Sequence, residues 1–235
     1  MKIICHMAVS LDLKITGAFL NRFPEVSQLY YEMHREFRNN GCKAFLCGRA
    51  TMQSSFTGDV AAPLEKYKGI SYPRTDCFFG HHGFYAVAID THGKCFWKDG
   101  IIHDDDPGYD NCGVIEVLCE DIDDAFIGYL QEHRISYLFA GKERLDICLL
   151  REKLETLLGI HTLLLEGGGV VNESFRKAGA IDELSLPMAL VIEGNGQKDL
   201  FQGTSLDKGN EWEMEENRMV KGCFYLRLRK RGERT

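Results

Sequence analysis

Residues 163–172 read Leu-Leu-Leu-Glu-Gly-Gly-Gly-Val-Val-Asn, an apolar strand that runs straight into a helix through three glycines. Glycine lets backbone amides approach a ligand closely, and the first turn of a helix presents N–H groups without an intrahelical partner. The helix dipole also favours an anion at that end. This stretch predicts an anion-binding turn suited to a cofactor diphosphate, and the alternative is a tight turn without a ligand.

Two other predicted strands end in the same way. The first runs into Gly48-Arg49-Ala50-Thr51 and the second into Ala140-Gly141. Ligands of open α/β sheets bind at the carboxyl ends of the strands. The three turns together predict one crevice for a nucleotide-type cofactor, although no strand is followed by the dinucleotide fingerprint G-x-G-x-x-G.

Hydrophobic periodicity predicts strands that alternate with amphipathic helices over most of the chain. The predicted strands are residues 3–9, 43–47, 84–89, 114–119, 135–140, 160–165, 184–192, 212–219 and 222–230. The predicted helices are residues 24–39, 122–133 (with Asp121 as its cap), 145–158 and 170–178, and residues 54–82 are predicted to be a long loop. The alternation predicts an α/β fold with a mostly parallel central sheet, helices on both faces and an antiparallel C-terminal ribbon. We expect a single domain over residues 1–235.

Composition excludes several classes of protein. The 235 residues include 28 Lys plus Arg against 35 Asp plus Glu, a formal net charge of −7 that argues against nucleic-acid binding. No run approaches the roughly 18 apolar residues that a membrane helix needs, and no signal peptide is recognisable at the N-terminus. We therefore expect a cytoplasmic protein with a small-molecule substrate.

The nine cysteines are irregularly spaced and form no C-x-x-C motif. Several, including Cys47, Cys119 and Cys148, lie in apolar runs, which predicts reduced, buried thiols rather than disulfides or a structural zinc site. His34-Arg35-Glu36 imitates half of a zinc-deaminase motif, but the second half is missing. Histidines 81, 82, 92 and 103, with Asp104–Asp106, lie in loops without ligand spacing. We expect no metal.

In order along the chain, the sequence resembles the RibD C-terminal domain family, the reductase domain of the bifunctional riboflavin-biosynthesis deaminase–reductase, which shares the dihydrofolate reductase fold. The resemblance rests on five segments: Met7–Ile15, Gly48–Thr51, Glu166–Gly168, Phe175–Leu184, and Pro187 with Gly194–Gly196 and Leu200-Phe201. Two departures stand out. Leu13 replaces the family's glycine after Asp12, and Ser54-Ser55 stand where an aspartate is common.

The resemblance implies NADPH binding and hydride transfer, in the riboflavin branch to a phosphoribosylaminouracil whose ribose becomes a ribityl chain. It implies catalytic roles for Asp12 and Glu166, and substrate contacts from Ser10, Lys14 and Arg49. The cofactor contacts that it implies are Ala8, Thr51, Ser55, Asp90, Ala140, Gly141, Gly167, Gly168, Gly169, Val170 and Val171.

The reaction needs a proton source and, for a phosphorylated substrate, a cation. Asp12 or Glu166 qualifies as the proton source if burial raises its pKa toward neutrality. The candidate cations are Lys14, which points the same way as Asp12 if their segment is extended, Arg49 and Arg74.

Two alternatives remain open. A dihydrofolate or pteridine reductase needs a carboxylate facing inward from the first long helix, yet Glu25, Glu32 and Glu36 all lie off its apolar stripe. A nucleotide-binding module without catalysis would not need Asp12, Lys14 and Glu166 together.

Pairing of an exposed sheet edge would give a homodimer.

Overall fold

The computed structural model describes residues 1–61, 63–203 and 211–232. Its strands are β1 (Lys2–His6), β2 (Val9–Ser10), β3 (Ala44–Gly48), β4 (Tyr85–Ile89), β5 (Gly113–Leu118), β6 (Ser136–Phe139), β7 (Thr162–Leu165), β8 (Glu183–Ala189), β9 (Trp212–Val220) and β10 (Cys223–Lys230). Its α-helices are α1 (Phe19–Arg22), α2 (Pro24–Asn39), α3 (Arg49–Met52), α4 (Asp124–Glu132), α5 (Ile147–Leu158) and α6 (Gly169–Lys177).

The chain divides into two compact units that are discontinuous in sequence. The first contains Met1 and Lys43–His161, and the second contains Lys2–Cys42 and the described residues from Thr162 onward. That residues 1–235 form one domain stays a prediction.

In the first unit, four strands pair side by side in the order β6-β5-β4-β3, and every pair is parallel. All residues of these four strands are buried, as expected for parallel strands covered on both faces. Their carboxyl ends, at Gly48, Ile89, Leu118 and Phe139, therefore lie at one edge of the sheet.

In the second unit, β1 lies between β7 and β8 and is parallel to both. The chain then turns back, since β10 is antiparallel to β8 and β9 is antiparallel to β10. Helix α2 packs Val26, Leu29 and Met33 into a core cluster with Phe19 and Tyr225. The predicted α/β class, the mostly parallel pairing and the antiparallel C-terminal strands are confirmed.

Most element boundaries agree with the sequence predictions, and the differences have local causes. Helix α4 begins at Asp124, because Asp123 rather than Asp121 accepts the capping hydrogen bond from the amide of Ala125. The predicted first strand breaks after His6 and resumes as the short β2. The predicted loop 54–82 contains two short helical segments, Gln53–Thr57 and Leu64–Tyr67.

All nine cysteines are free thiols, and seven of them are buried. Cys148 is an exception to the expected burial, because it lies on the outer face of the first turn of α5 and is exposed. In the described part of the chain, no helix is both long and apolar enough to cross a membrane.

Leu13, at the position of the family's glycine, has a backbone φ of +57°. This left-handed conformation costs a residue with a Cβ roughly 1–2 kcal/mol. The turn is held by hydrogen bonds from the amide of Leu13 to Ser10 and from the amide of Leu200 to Leu13. The sequence departure therefore keeps the backbone that glycine would favour.

We expect Leu13→Gly to raise the free energy of unfolding by about 0.5–1 kcal/mol, since relief of the left-handed conformation exceeds the entropic cost of glycine. Leu11→Gly is the matched control, because Leu11 is similarly exposed (47% against 41%) and has no positive φ. The control should lower stability in urea unfolding. Equal effects of both changes would contradict a strained Leu13.

Candidate functional site

The glycine turn connects β7 to α6 as predicted. Gly167 has a φ of +99°, its peptide bond to Gly168 is cis, and Gly168 is the N-cap of α6 without a side-chain capping bond. A Cβ on Gly169 would lie 2.3 Å from the carbonyl oxygen of Asp199, so local packing alone requires glycine there.

The first-turn amides of α6 are available to a ligand. The amide of Asn172 bonds to the carbonyl of Gly168 (3.0 Å), which closes the first turn. Within residues 1–61, 63–203 and 211–232, the amides of Gly169, Val170 and Val171 have no acceptor. Three uncapped amides at a positive helix end suit a phosphate oxygen, so the turn fits a nucleotide cofactor.

Glu166, the residue before the glycines, is held by a histidine. It is 4% exposed, and its Oε1 lies 2.6 Å from Nδ1 of His34, which is fully buried on the inner face of α2. Sequence reasoning treated His34 only as an incomplete deaminase motif. Its position beside Met33 on the buried stripe of α2 was the signal that could have identified it.

A second buried histidine lies near this pair. The Nδ1 of His6 is 3.0 Å from the hydroxyl of Ser185, and its Nε2 is 3.0 Å from the carbonyl of Tyr30, whose ring stacks on the imidazole. The Ser185 hydroxyl also lies 2.9 Å from the Tyr225 hydroxyl. Burial lowers the pKa of His6, an effect that the Glu166 charge partly opposes. His6, Ser185 and Tyr225 thus form a buried polar network that is electrostatically coupled to the Glu166–His34 pair.

Asp12 does not have the raised pKa that a proton donor needs. Its carboxylate accepts hydrogen bonds from the Ser10 hydroxyl (2.6 Å) and from the amides of Glu193 (3.0 Å) and Gly194 (2.9 Å). These bonds, that of Ser10 first, lower the pKa of Asp12 to about 2. Asp12 is therefore ionised at neutral pH and ties residues 10–14 to residues 193–194.

The ammonium group of Lys14 forms an ion pair with Asp199, which is half-exposed. Residues 11 and 12 form a turn rather than an extended segment. The condition under which Asp12 and Lys14 were expected to project the same way is therefore not met. Ala8, partly buried, follows β1 at the edge of the sheet where Glu166 follows β7.

The remaining predicted residues lie in the first unit, where they follow the ends of β3, β4 and β6. Arg49 and Thr51 lie in α3 directly after β3, and the Arg49 guanidinium donates to Gln53. Ser55 is exposed in the helical segment that follows. Ala140 is fully buried after β6, and a Cβ on Gly141 would lie 1.9 Å from the carbonyl oxygen of Arg144, so the loop itself requires that glycine.

Asp90 follows β4 but its side chain does not reach the surface. It is 1% exposed, and its Oδ2 accepts hydrogen bonds from the amides of Lys94 and Cys95. Beside it lies Glu116 of β5, which accepts a bond from the Trp97 indole. Burial and the neighbouring Asp90 raise the pKa of Glu116 well above its ordinary value, and burial raises the pKa of Cys95. Sequence reasoning missed Glu116, although it is the one charged residue in an apolar strand.

Other candidates from the sequence have different surroundings. Arg74 donates to Asp124 and to the carbonyls of Tyr72, Glu120 and Ile122, so it is occupied at the start of α4. The three glutamates of α2 considered for a pterin, at positions 25, 32 and 36, are not buried, and Glu32 pairs with Lys221.

Comparison with known proteins agrees with the resemblance. Residues 117–223 match the sequence profile of the RibD C-terminal domain, which confirms the resemblance over that part of the chain. A 2,5-diamino-6-ribosylamino-4(3H)-pyrimidinone 5′-phosphate reductase from Methanothermobacter thermautotrophicus is 34% identical over 76 residues. That match covers 32% of this chain and only 35% of the relative.

Solved structures extend the similarity of fold over nearly the whole chain. A pyrimidine reductase-like protein from Corynebacterium diphtheriae superposes with a TM-score of 0.69 at 16% identity, covering 99% of this chain and 92% of that one. A riboflavin biosynthesis reductase from Saccharomyces cerevisiae gives 0.61 at 14% identity, covering 98% and 90%. For RibD from Acinetobacter baumannii the TM-score is 0.63 at 15% identity, covering 98% of this chain and 58% of that protein. The fold is that of the riboflavin-type pyrimidine reductases.

We expect Ser10→Ala to raise the pKa of Asp12 from about 2 toward the ordinary value of 3.8, because the strongest of its hydrogen bonds is lost. The depressed pKa stabilises the fold above pH 3.8, and this contribution disappears as the pH falls toward 2. Carboxyl-resolved NMR titration checks the shift. An unchanged Asp12 pKa in the variant would assign the depression to the Glu193 and Gly194 amides alone.

Removal of the His34 side chain should be strongly destabilising, because it removes the imidazole that pairs with the buried Glu166 carboxyl group. We expect His34→Ala to lower the free energy of unfolding by about 3–5 kcal/mol. His161→Ala is the control, since its pair with Glu155 is exposed (77% and 39%) and is expected to contribute only about 0–1 kcal/mol. Similar losses for the two variants, measured by denaturant unfolding, would show that burial does not strengthen the Glu166 pair.

Proposed function

We propose that this chain is an NADPH-dependent reductase that converts the ribose of a ribosylaminopyrimidine 5′-phosphate into a ribityl chain, as in riboflavin biosynthesis. One observation carries the proposal. The uncapped glycine turn, residues 166–172, lies inside the segment that matches the RibD C-terminal domain profile. The names of the relatives, all pyrimidine or riboflavin-biosynthesis reductases, support the substrate class.

NADPH supplies the hydride in this proposal, and the chain supplies its binding groups. The amides of Gly169, Val170 and Val171 would bind the diphosphate, with Gly167 and Gly168 allowing its close approach. In the first unit, the residues after the carboxyl ends of the strands would provide further contacts, namely Thr51, Ser55, Asp90 through its backbone, Ala140 and Gly141. Ala8 would contribute from the end of β1.

Glu166 and His34 are assigned to the proton. Addition of hydride forms a C–H bond at C1′ of the ribosyl group while the C1′–O4′ bond breaks, and O4′, which takes the electron pair of that bond, must receive a proton. The buried Glu166–His34 pair can hold a proton between Oε1 and Nδ1, whereas Asp12 is ionised near neutrality. Asp12 and Ser10 instead fix the loop that borders the substrate.

The substrate phosphate requires a cation. Lys14 and Arg49 are our candidates, and each already has a partner, Asp199 and Gln53 respectively. Because Asp199 is 52% exposed in its side chain, it can move away from Lys14 at little cost when phosphate binds. A pterin substrate is less suited, since the inward position on α2 holds His34 rather than a carboxylate.

The direct test is oxidation of NADPH by the purified chain with three substrates. We expect turnover with 2,5-diamino-6-ribosylamino-4(3H)-pyrimidinone 5′-phosphate or its 5-amino-uracil counterpart, and none with dihydrofolate. Product analysis by mass spectrometry should show a gain of two hydrogens. NADPH binding without turnover of either pyrimidine would reject the substrate class, and turnover of dihydrofolate would favour a pteridine reductase.

Val170→Pro tests the role of the α6 amides directly. Proline is tolerated in the first turn of a helix and removes only the N–H donor. Loss of one hydrogen bond to a charged group, about 1.5–3 kcal/mol, should weaken NADPH binding about ten- to a hundredfold. Binding is measured by fluorescence titration.

Cys148→Pro is the matched control, because Cys148 occupies the same exposed first-turn position in α5. It should leave NADPH affinity unchanged. Equal affinity of both variants would mean that the Val170 amide does not bind the cofactor.

We further propose a cytoplasmic protein that forms a homodimer. Free thiols throughout the described residues support a reducing compartment. Strand β9, last in the strand order of its unit, exposes Met214 and Met219 and offers an edge for pairing with a second copy.

A further inference from the structure

We propose that Asp90, Cys95 and Glu116 form a binding site for one divalent transition-metal ion of the Zn²⁺ type. Three different elements provide these residues: the end of β4, the loop that follows it, and the middle of β5. One donor atom from each residue lies within 4.8 Å of the other two, and all three residues are buried. Both carboxyl groups and the thiol thus converge on one point inside the first unit.

The two carboxyl groups each keep one oxygen without a partner. Asp90 Oδ1 and Glu116 Oε2 are fully buried and accept no hydrogen bond from the described residues. Their other oxygens are held firmly, by the amides of Lys94 and Cys95 for Asp90 and by the indole of Trp97 for Glu116. Outer hydrogen bonds that orient a carboxylate while leaving one oxygen open are typical of metal ligands.

Charge supports a cation at this point. Two acidic groups buried together are costly unless a positive charge compensates them. Among the described residues, the Arg49 guanidinium is the cation that acts on Cys95, and it acts electrostatically rather than through an ion pair. A divalent ion would offset both carboxylates and stabilise the thiolate form of Cys95.

The donor set selects the class of metal. A thiolate favours zinc and other late transition metals over Mg²⁺ and Ca²⁺, which prefer oxygen ligands alone. Zinc binds sulfur at about 2.3 Å and carboxylate oxygen at about 2.0–2.2 Å, so the three side chains, whose donor atoms lie within 4.8 Å of one another, must contract around the ion. The carbonyl oxygen of Arg49, which accepts a hydrogen bond from the Cys95 thiol at 3.8 Å, is our candidate for a fourth ligand.

Metal content tests this site without depending on the proposed enzymatic activity. The full chain, freed of metal with a chelator, is titrated with Zn²⁺ and with Co²⁺ as a spectroscopic probe. We expect one equivalent of zinc to remain after gel filtration, and Co²⁺ to give a thiolate charge-transfer band. Cys95→Ser should abolish that band, and Glu116→Gln, which can still accept from Trp97, should weaken zinc binding at least tenfold.

Cys148→Ser is the control, because the Cys148 thiol is exposed and does not belong to the proposed site. This variant should retain both the Co²⁺ charge-transfer band and the binding of one equivalent of zinc. X-ray absorption of the zinc-loaded wild type, which should show one sulfur ligand, provides a readout that does not require the variants to fold. The proposal would be overturned by any of three results: the wild type fails to retain zinc, its zinc site contains no sulfur ligand, or the Co²⁺ band is lost in Cys148→Ser instead of Cys95→Ser. Failure of the wild type to bind would leave Glu116 and Asp90 sharing a proton.

Discussion

The buried contact between Glu166 and His34 joins two elements of the second unit that are distant in sequence. It places a carboxyl group almost without solvent exposure at the end of β7, and it ties that end to the inner face of α2. The glycines that follow Glu166 lead directly into α6, and the close approach of the Asp199 carbonyl excludes a side chain at Gly169. The first-turn amides of α6 therefore lie close along the chain to this buried contact.

Much of the fold could be predicted from the sequence because apolar periodicity reports directly on burial. Helix α2 was predicted at its observed bounds, since Val26, Leu29 and Met33 recur at helical spacing and are buried. Helix boundaries that depend on a single capping hydrogen bond were harder to predict from the sequence. Asp121 and Asp123 are equally good capping residues in sequence, and only the bond to the Ala125 amide distinguishes them.

The site could be predicted only in part, because its polar contacts join residues that are distant in the chain. Glycine turns are local and were found, whereas His34 is 132 residues away from its partner Glu166. Glu116 was a recognisable irregularity in an apolar strand, but its neighbours Asp90, Cys95 and Trp97 become apparent only once β4 and β5 are paired. Asp12 and Lys14 were expected to project the same way if their segment were extended, but residues 11 and 12 form a turn and Leu13 has a left-handed backbone conformation.

The acidic residues of this chain have different roles because their surroundings differ, although their intrinsic chemistry is similar. Asp12 lies at the surface among three donors, so it keeps its negative charge and acts as an anchor for the loop. Glu166 is buried with its Oε1 2.6 Å from a nitrogen of the His34 imidazole. Glu116 is buried beside a second carboxyl group, where either a proton or a cation must balance the charge. We assign the proton of the proposed reduction to Glu166 because, of these three residues, it is the one that is both paired with a buried imidazole and next to the glycine turn.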